Sequence, residues 1–219
     1  MGVTEDAFLS LVHGWVRAAC QEWNYPEVSD SYFAAVHQRV PAGVRALVAA
    51  AHHDGVIKPV GGYRFTLLGL APGKGPYAWV SRHNEQRTPS INWEYLVQAV
   101  EYARLYAALA PKGYLIAMED RLMDITVSDA SGTLQWDIEV QERAAEIPAF
   151  LQRLAAHGHA GVDLDAPDRG NDPLRKAKYL LRHRPLYFSA AAIGLRRDFQ
   201  VTYATGNKFI LIDDMVPLT

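Results

Sequence analysis

Cysteine is nearly missing from this chain: Cys20 is the single one in 219 residues. One thiol excludes an internal disulfide framework and any zinc site built on paired cysteines. It suits a reducing compartment such as the cytoplasm. Long apolar runs are missing as well. No stretch approaches the roughly 18 apolar residues that cross a bilayer. The opening MGVTEDAFLS carries acids where a secretory leader has a basic start and an apolar run. A cytoplasmic protein with no membrane partner is therefore expected. Charge of one sign is also not in excess: 22 Lys and Arg stand against 24 Asp and Glu, a net charge of -2. Any contact with a polyanion must then come from a local basic patch. The eight histidines include no H-E-x-x-H and no pair four residues apart, so they do not form a metal set of that kind. Apolar material, by contrast, is ample: 49% hydrophobic against 21% charged, which supports a core and argues against disorder.

The length suits one large domain, or one domain with an appendage. Phe8, Leu11, Val12, Trp15, Val16 and Ala19 recur at the spacing of one helical face. Shorter helices are expected over residues 30–39 and 44–53, followed by extended runs at 56–60 and 63–68 around Gly61-Gly62. Residues 1–70 thus read as a helical region with a winged-helix-like order. Residues 71–90 read as a long loop holding one short strand at 77–81. Its Gly73, Lys74 and Gly75 lack phosphate-loop spacing. A helix is expected to open near Thr88-Pro89 and to run over 91–110. Strands follow at 114–118, 122–127 and 133–141, then a helix at 142–156 and a basic helix at 174–183. Strands at 187–195, 199–204 and 209–212 close the chain. The expectation is an α/β (α+β) core over 71–219, a central mixed sheet flanked by helices.

The strands at 122–127 and 133–141 carry the candidate chemistry. Alternation puts Met123, Ile125 and Val127 on one face, and Leu134, Trp136, Ile138 and Val140 on one face of the next strand. Joining those apolar faces pairs Val127 with Leu134, Ile125 with Trp136 and Met123 with Ile138. Asp124 then stands opposite Asp137 and diagonal to Glu139. Like charges directly opposed on a sheet are destabilising, and a hard divalent cation relieves them through carboxylate oxygens. A solvent-facing polar stripe is the plainer alternative.

Asp124, then fourteen residues, then Glu139-Val140-Gln141 resembles the core motif of the PD-(D/E)XK nuclease superfamily. There an aspartate on one strand and an E-x-K on the next hold the metal and the attacking water. The resemblance implies a restriction-endonuclease-like core: a helix, a three-stranded meander, a helix and a further strand, the order read from residue 91 onward. It implies phosphodiester hydrolysis with Mg2+ or Mn2+ held by Asp124 and Glu139. Glu94, on the first helix, or Asp137 would complete the shell. Two departures stand out: Met123 replaces the proline before Asp124, and Gln141 replaces the lysine. Gln141 can position water by hydrogen bonding but adds no positive charge to the transition state.

The dense basic run Arg175, Lys176, Lys178 and Arg182 is the expected place for a nucleic-acid backbone, DNA rather than RNA. The same run can also be a solvated helix face balanced by the acids upstream. With so modest a net charge, a protein partner or homodimer is expected to assist binding. A rival reading is a non-enzymatic binding module, an inhibitor or immunity-type partner or an inactive nuclease-like scaffold. A further one is a winged-helix DNA binder using residues 30–68.

Overall fold

In a computed structural model, the structure describes residues 3–213 apart from Asn84, Arg121, Arg169 and Asn171. The chain divides into two compact units, residues 1–104 and 105–219. The break expected near residue 70 is not where the chain divides, because the strands on either side of it pair with each other.

The first unit begins with helices α1 (Val3–Trp23), α2 (Asp30–Arg39) and α3 (Ala42–His53). Phe8, Val12, Trp15, Val16, Ala19 and Cys20 form the buried stripe of α1, as its period requires. Strands β1 (Ile57–Pro59), β2 (Arg64–Leu67) and β3 (Tyr77–Ala78) make a small antiparallel sheet. Its pairs Phe65↔Tyr77 and Arg64↔Ala78 bridge the expected break. Trp79 is core, stacked on Trp15 at 4.3 Å and on Phe65 at 3.8 Å. A second hairpin, β4 (Val80–His83) with β5 (Thr88–Ile91), occupies what the sequence suggests is loop and helix start. Pro89 is tolerated there because this sheet has only two strands, both of them edges. The true cap of α4 (Trp93–Leu109) is Asn92, whose side chain accepts the Tyr95 N–H at 3.2 Å.

The second unit is built on one six-stranded sheet. Its strands are β6 (Leu115–Asp120), β7 (Met123–Ser128), β8 (Leu134–Val140), β9 (Tyr187–Ala192), β10 (Leu195–Ala204) and β11 (Lys208–Ile212). They lie in the order β11-β10-β9-β8-β7-β6. Every neighbouring pair is antiparallel except β8 with β9. A parallel pair needs a crossover, and α5 (Ile147–Ala160) and α6 (Asp172–His183) supply it. The architecture is the expected mixed sheet with helices. Phe150 and Leu154 of α5 and Ala177 and Leu180 of α6 share a core with Phe188, Ala190, Phe199 and Phe209 of the sheet. On the other face Met118, Ile125, Val127, Trp136 and Ile138 are all buried. The Trp136 indole donates to Ser189 Oγ at 2.7 Å, and Ser189 donates to Asp198 at 2.5 Å. That chain ties β8, β9 and β10 together below the site.

Gly158 of α5 lies tight against Phe209 of β11. A Cβ there would stand 2.6 Å from the Phe209 carbonyl oxygen, a clash with backbone that cannot swing away. Gly158→Ala is expected to cost about 1–3 kcal/mol in urea unfolding, the usual range for overpacking. Gly14→Ala on α1, where an added Cβ meets nothing within 4 Å, should instead gain about 0.5–1 kcal/mol. Equal effects at the two positions would contradict this packing.

Candidate functional site

The β7–β8 hairpin differs in register from the sequence expectation, by one cross-strand pair. The observed partners are Val127↔Trp136, Thr126↔Asp137 and Ile125↔Ile138, with an irregularity between Val127 and Ser128. The cause lies in the turn. The Asp129 carboxylate accepts the N–H groups of Ser131 (2.9 Å) and Thr133 (3.0 Å), and the Asp129 N–H donates to the Thr133 carbonyl (3.0 Å). This closes the hairpin one residue further out than apolar pairing alone suggests, and the bulge absorbs the difference. Side-chain parity survives, so the acids still share a face. Their partners change: Asp137 faces Thr126, and one step beyond Ile125↔Ile138 Asp124 comes level with Glu139.

At that step Asp124 Oδ2 accepts the Val140 N–H at 2.6 Å. The acid face is not a solvated stripe: Asp137 is 0% and Glu139 5% exposed. Lys176 of α6 reaches the same place. Its ammonium forms an ion pair with Glu139 Oε2 and donates to the Leu122 carbonyl. The side-chain amide of Gln141 donates to Glu139 Oε1 at 3.4 Å. Two carboxyls, one ammonium and one amide thus converge where β7 begins and β8 ends.

Burial dominates the electrostatics. It raises the Asp124 carboxyl above its ordinary range, against the opposing effects of the Lys176 charge, the Val140 N–H and a hydrogen bond to Glu139. Glu139 is held well above the ordinary carboxyl range, first by burial and then by repulsion from Asp124, with Lys176 offsetting part of it. Asp172, at the start of α6, pushes both acids further up. The site is short of positive charge.

The other expected residues fall as follows. Asp137 is level with Thr126 and Phe188, and its charge helps to raise the Tyr203 phenol, whose main cause is burial. Glu94 belongs to the first unit, where it is exposed and accepts from the Gln98 amide at 3.3 Å. Among the described residues no group of three or more His, Cys, Asp and Glu side chains is arranged to hold a metal ion. The basic run does not act as one stripe. Lys176 and Lys178 are buried, and Lys178 pairs with Asp168 at 2.6 Å. Arg182 donates to the Leu164 carbonyl at 2.7 Å, and Arg175 is paired with Asp172.

Lys176 is the site residue whose role was misread from sequence. A signal was present: Pro173, Ala177 and Leu180 mark the buried face of α6, and Lys176 falls within its width. A lysine on an apolar stripe needs a buried partner, and Glu139 is that partner. Comparison with known proteins found no match to a family model, a curated protein or a solved structure. No described helix is long and apolar enough to cross a membrane.

The raised carboxyls set a pH dependence. The unfolded chain releases the Glu139 proton near 4.5, whereas the folded chain holds it to higher pH. Between those limits the native state binds more protons, so the pair's contribution to stability falls as pH rises. Lys176→Met removes the offsetting cation and should cost about 3–5 kcal/mol at pH 8. The loss should shrink toward pH 5, where the carboxyls accept protons. Urea unfolding giving the same loss at both pH values would rule out this coupling.

Proposed function

We propose that the second unit is a metal-dependent phosphodiesterase acting on nucleic acid, a variant of the PD-(D/E)XK arrangement in which the cation comes from α6. The observation that carries this reading is the convergence of Asp124 and Glu139 with the Lys176 ammonium. The lysine that position 141 lacks is supplied in space by position 176. The element order also supports it: a helix, the β6–β7–β8 meander, a helical crossover and the parallel strand β9.

The donor chemistry fits Mg2+ or Mn2+. Two adjacent hard carboxylates, both held above their normal range by burial, gain from added positive charge. Asp124 and Glu139 would hold the ion, which when bound supplies the Lewis acidity that makes water a nucleophile near neutral pH and offsets phosphorane charge. Lys176 places a fixed positive charge beside the carboxylates, where negative charge develops on phosphate oxygens. Gln141, already hydrogen-bonded to Glu139, orients the attacking water.

A second reading is favoured by one observation: among the described residues no third His, Cys, Asp or Glu side chain is arranged with the two acids to hold a metal ion. On that reading the unit is an inactive nuclease-like scaffold that binds a protein partner. The winged-helix reading finds less support. The helix order is right, but the lone arginine of α3, Arg45, turns inward to the carbonyls of His37 (3.0 Å) and Val40 (2.7 Å).

Incubating the full chain with supercoiled and single-stranded DNA and with RNA, in Mg2+, Mn2+ or EDTA, separates the first two readings. Metal-dependent cleavage should be lost in Asp124→Asn and Glu139→Gln. Asp124→Asn keeps an acceptor for the Val140 N–H and should unfold no more easily than the wild type at neutral pH. Glu139→Gln leaves the buried Lys176 ammonium without its charged partner, so circular dichroism must first show that it folds. Lys176→Gln should lower the rate on the order of a hundredfold, the usual effect of losing one transition-state donor. No cleavage of any substrate with either metal leaves the scaffold.

A further inference from the structure

The first unit holds an open groove of about 360 Å³ lined by residues from α2, the β4–β5 hairpin and the start of α4. Its most distinctive element is planar: the Arg39 guanidinium lies 3.8 Å over the Trp93 ring. A guanidinium stacked on an indole makes a flat, positively charged surface, which favours a flat ring or an anion.

The hairpin supplies hydrogen-bonding groups. Its register sets His83 opposite Thr88 and Ser81 opposite Ser90, so these four side chains share one face. His83, Thr88 and Ser90 line the groove, with an amide from Gln86. Val36 and Ile91 add buried apolar surface. Among the described residues that line it there is no carboxylate, in a chain with 24 acidic side chains. An anion entering here therefore meets hydroxyls, an imidazole and a guanidinium, and no acid in the lining. Trp93 is also the first residue of α4, the helix end that favours negative charge. The volume is near the lower end of the roughly 300–1,000 Å³ range of small-molecule sites, room for about one nucleotide.

We propose that this groove binds a nucleoside phosphate, either free or as one unit of a single strand. The base stacks on the Arg39–Trp93 surface, and the phosphate is received by Ser90 and His83, while Thr88, whose hydroxyl donates to the Gln86 carbonyl at 3.0 Å, holds the hairpin end beside them. The site is independent of Asp124 and Glu139 and needs no metal.

The test uses the full chain in EDTA, so that cleavage plays no part. Adenosine monophosphate is titrated while tryptophan emission is followed, and a short fluorescent oligodeoxyadenylate is titrated by anisotropy. Wild-type protein should bind at least one of the two, and which one it binds identifies the source of the nucleotide. Trp93→Ala should weaken that binding about fivefold or more, the lower end of base-stacking effects. Ser90→Glu, at an exposed position, should weaken it at least as much by repelling the phosphate. Arg153→Ala, exposed on α5 in the other unit, should leave it unchanged. Should Trp93→Ala not fold, Ser90→Glu alone decides, with circular dichroism confirming its fold. The proposal fails if neither nucleotide binds, or if binding is indifferent to a folded Ser90→Glu. Metal-dependent cleavage, lost or kept in Asp124→Asn, reports on the other site alone.

Discussion

The second unit depends on the burial of charge between α6 and the β7–β8 hairpin. Removing two carboxyls and an ammonium from water costs several kcal/mol per ion, and their mutual attraction rarely returns more than that. Here Lys176 offsets part of the cost twice over, pairing with Glu139 and donating to the Leu122 carbonyl beside the β6–β7 turn. One side chain therefore joins the crossover helix to both strands of the site. A chain selected for stability alone gains by replacing such a triad with apolar residues. Acids that resist ionisation beside a lysine are the feature on which the proposed metal site rests.

Much of this arrangement is legible in the sequence, for identifiable reasons. The order of elements after residue 91 follows from hydrophobic period and turn residues. The sharing of one face by Asp124 and Glu139 follows from strand parity, which survives a register error of a whole pair. What could not be read is which acid faces which. That depends on Asp129 capturing two backbone N–H groups and on the bulge that follows, features weaker in sequence than the apolar alternation around them. The β4–β5 hairpin was hidden for a similar reason. Thr88-Pro89 has the form of a helix start, yet the hydrogen bond that opens α4 belongs to Asn92, four residues beyond Thr88.

The basic helix shows how composition misleads about recognition. Arg175, Lys176, Lys178 and Arg182 are dense in sequence, and a phosphate backbone could lie along them if all four faced solvent. Instead Lys178 holds Asp168 and the Ala166 carbonyl, Arg182 holds the Leu164 carbonyl, and Lys176 enters the site. Three of these contacts fasten the acidic loop before α6 against the helix, and Arg175 pairs with Asp172 within the first turn of α6 itself. The charges that make α6 look like a polyanion surface are largely internal counter-charges for that loop and for Glu139.

The chain carries a net charge of -2, and the densest run of cations in its second unit is mostly occupied by its own acids. Non-specific electrostatic attachment to a nucleic acid grows with the number of phosphates neutralised, so this unit alone has little to offer. On the proposed activity, affinity for a strand would come from groups that recognise more than charge. Aromatic surfaces and arginines that stack on them do so with little net charge, because a base has a π-face whatever its identity. Such pairs occur in both units: Arg39 on Trp93, Arg64 on Tyr63 and Arg82 near Trp23 and Tyr25 in the first, and Arg184 on Tyr203, Arg196 on Trp136 and Arg197 on Phe199 in the second. What sets the Arg39–Trp93 pair apart is that both residues line the groove of the first unit, so the two proposals assign recognition and chemistry to different units.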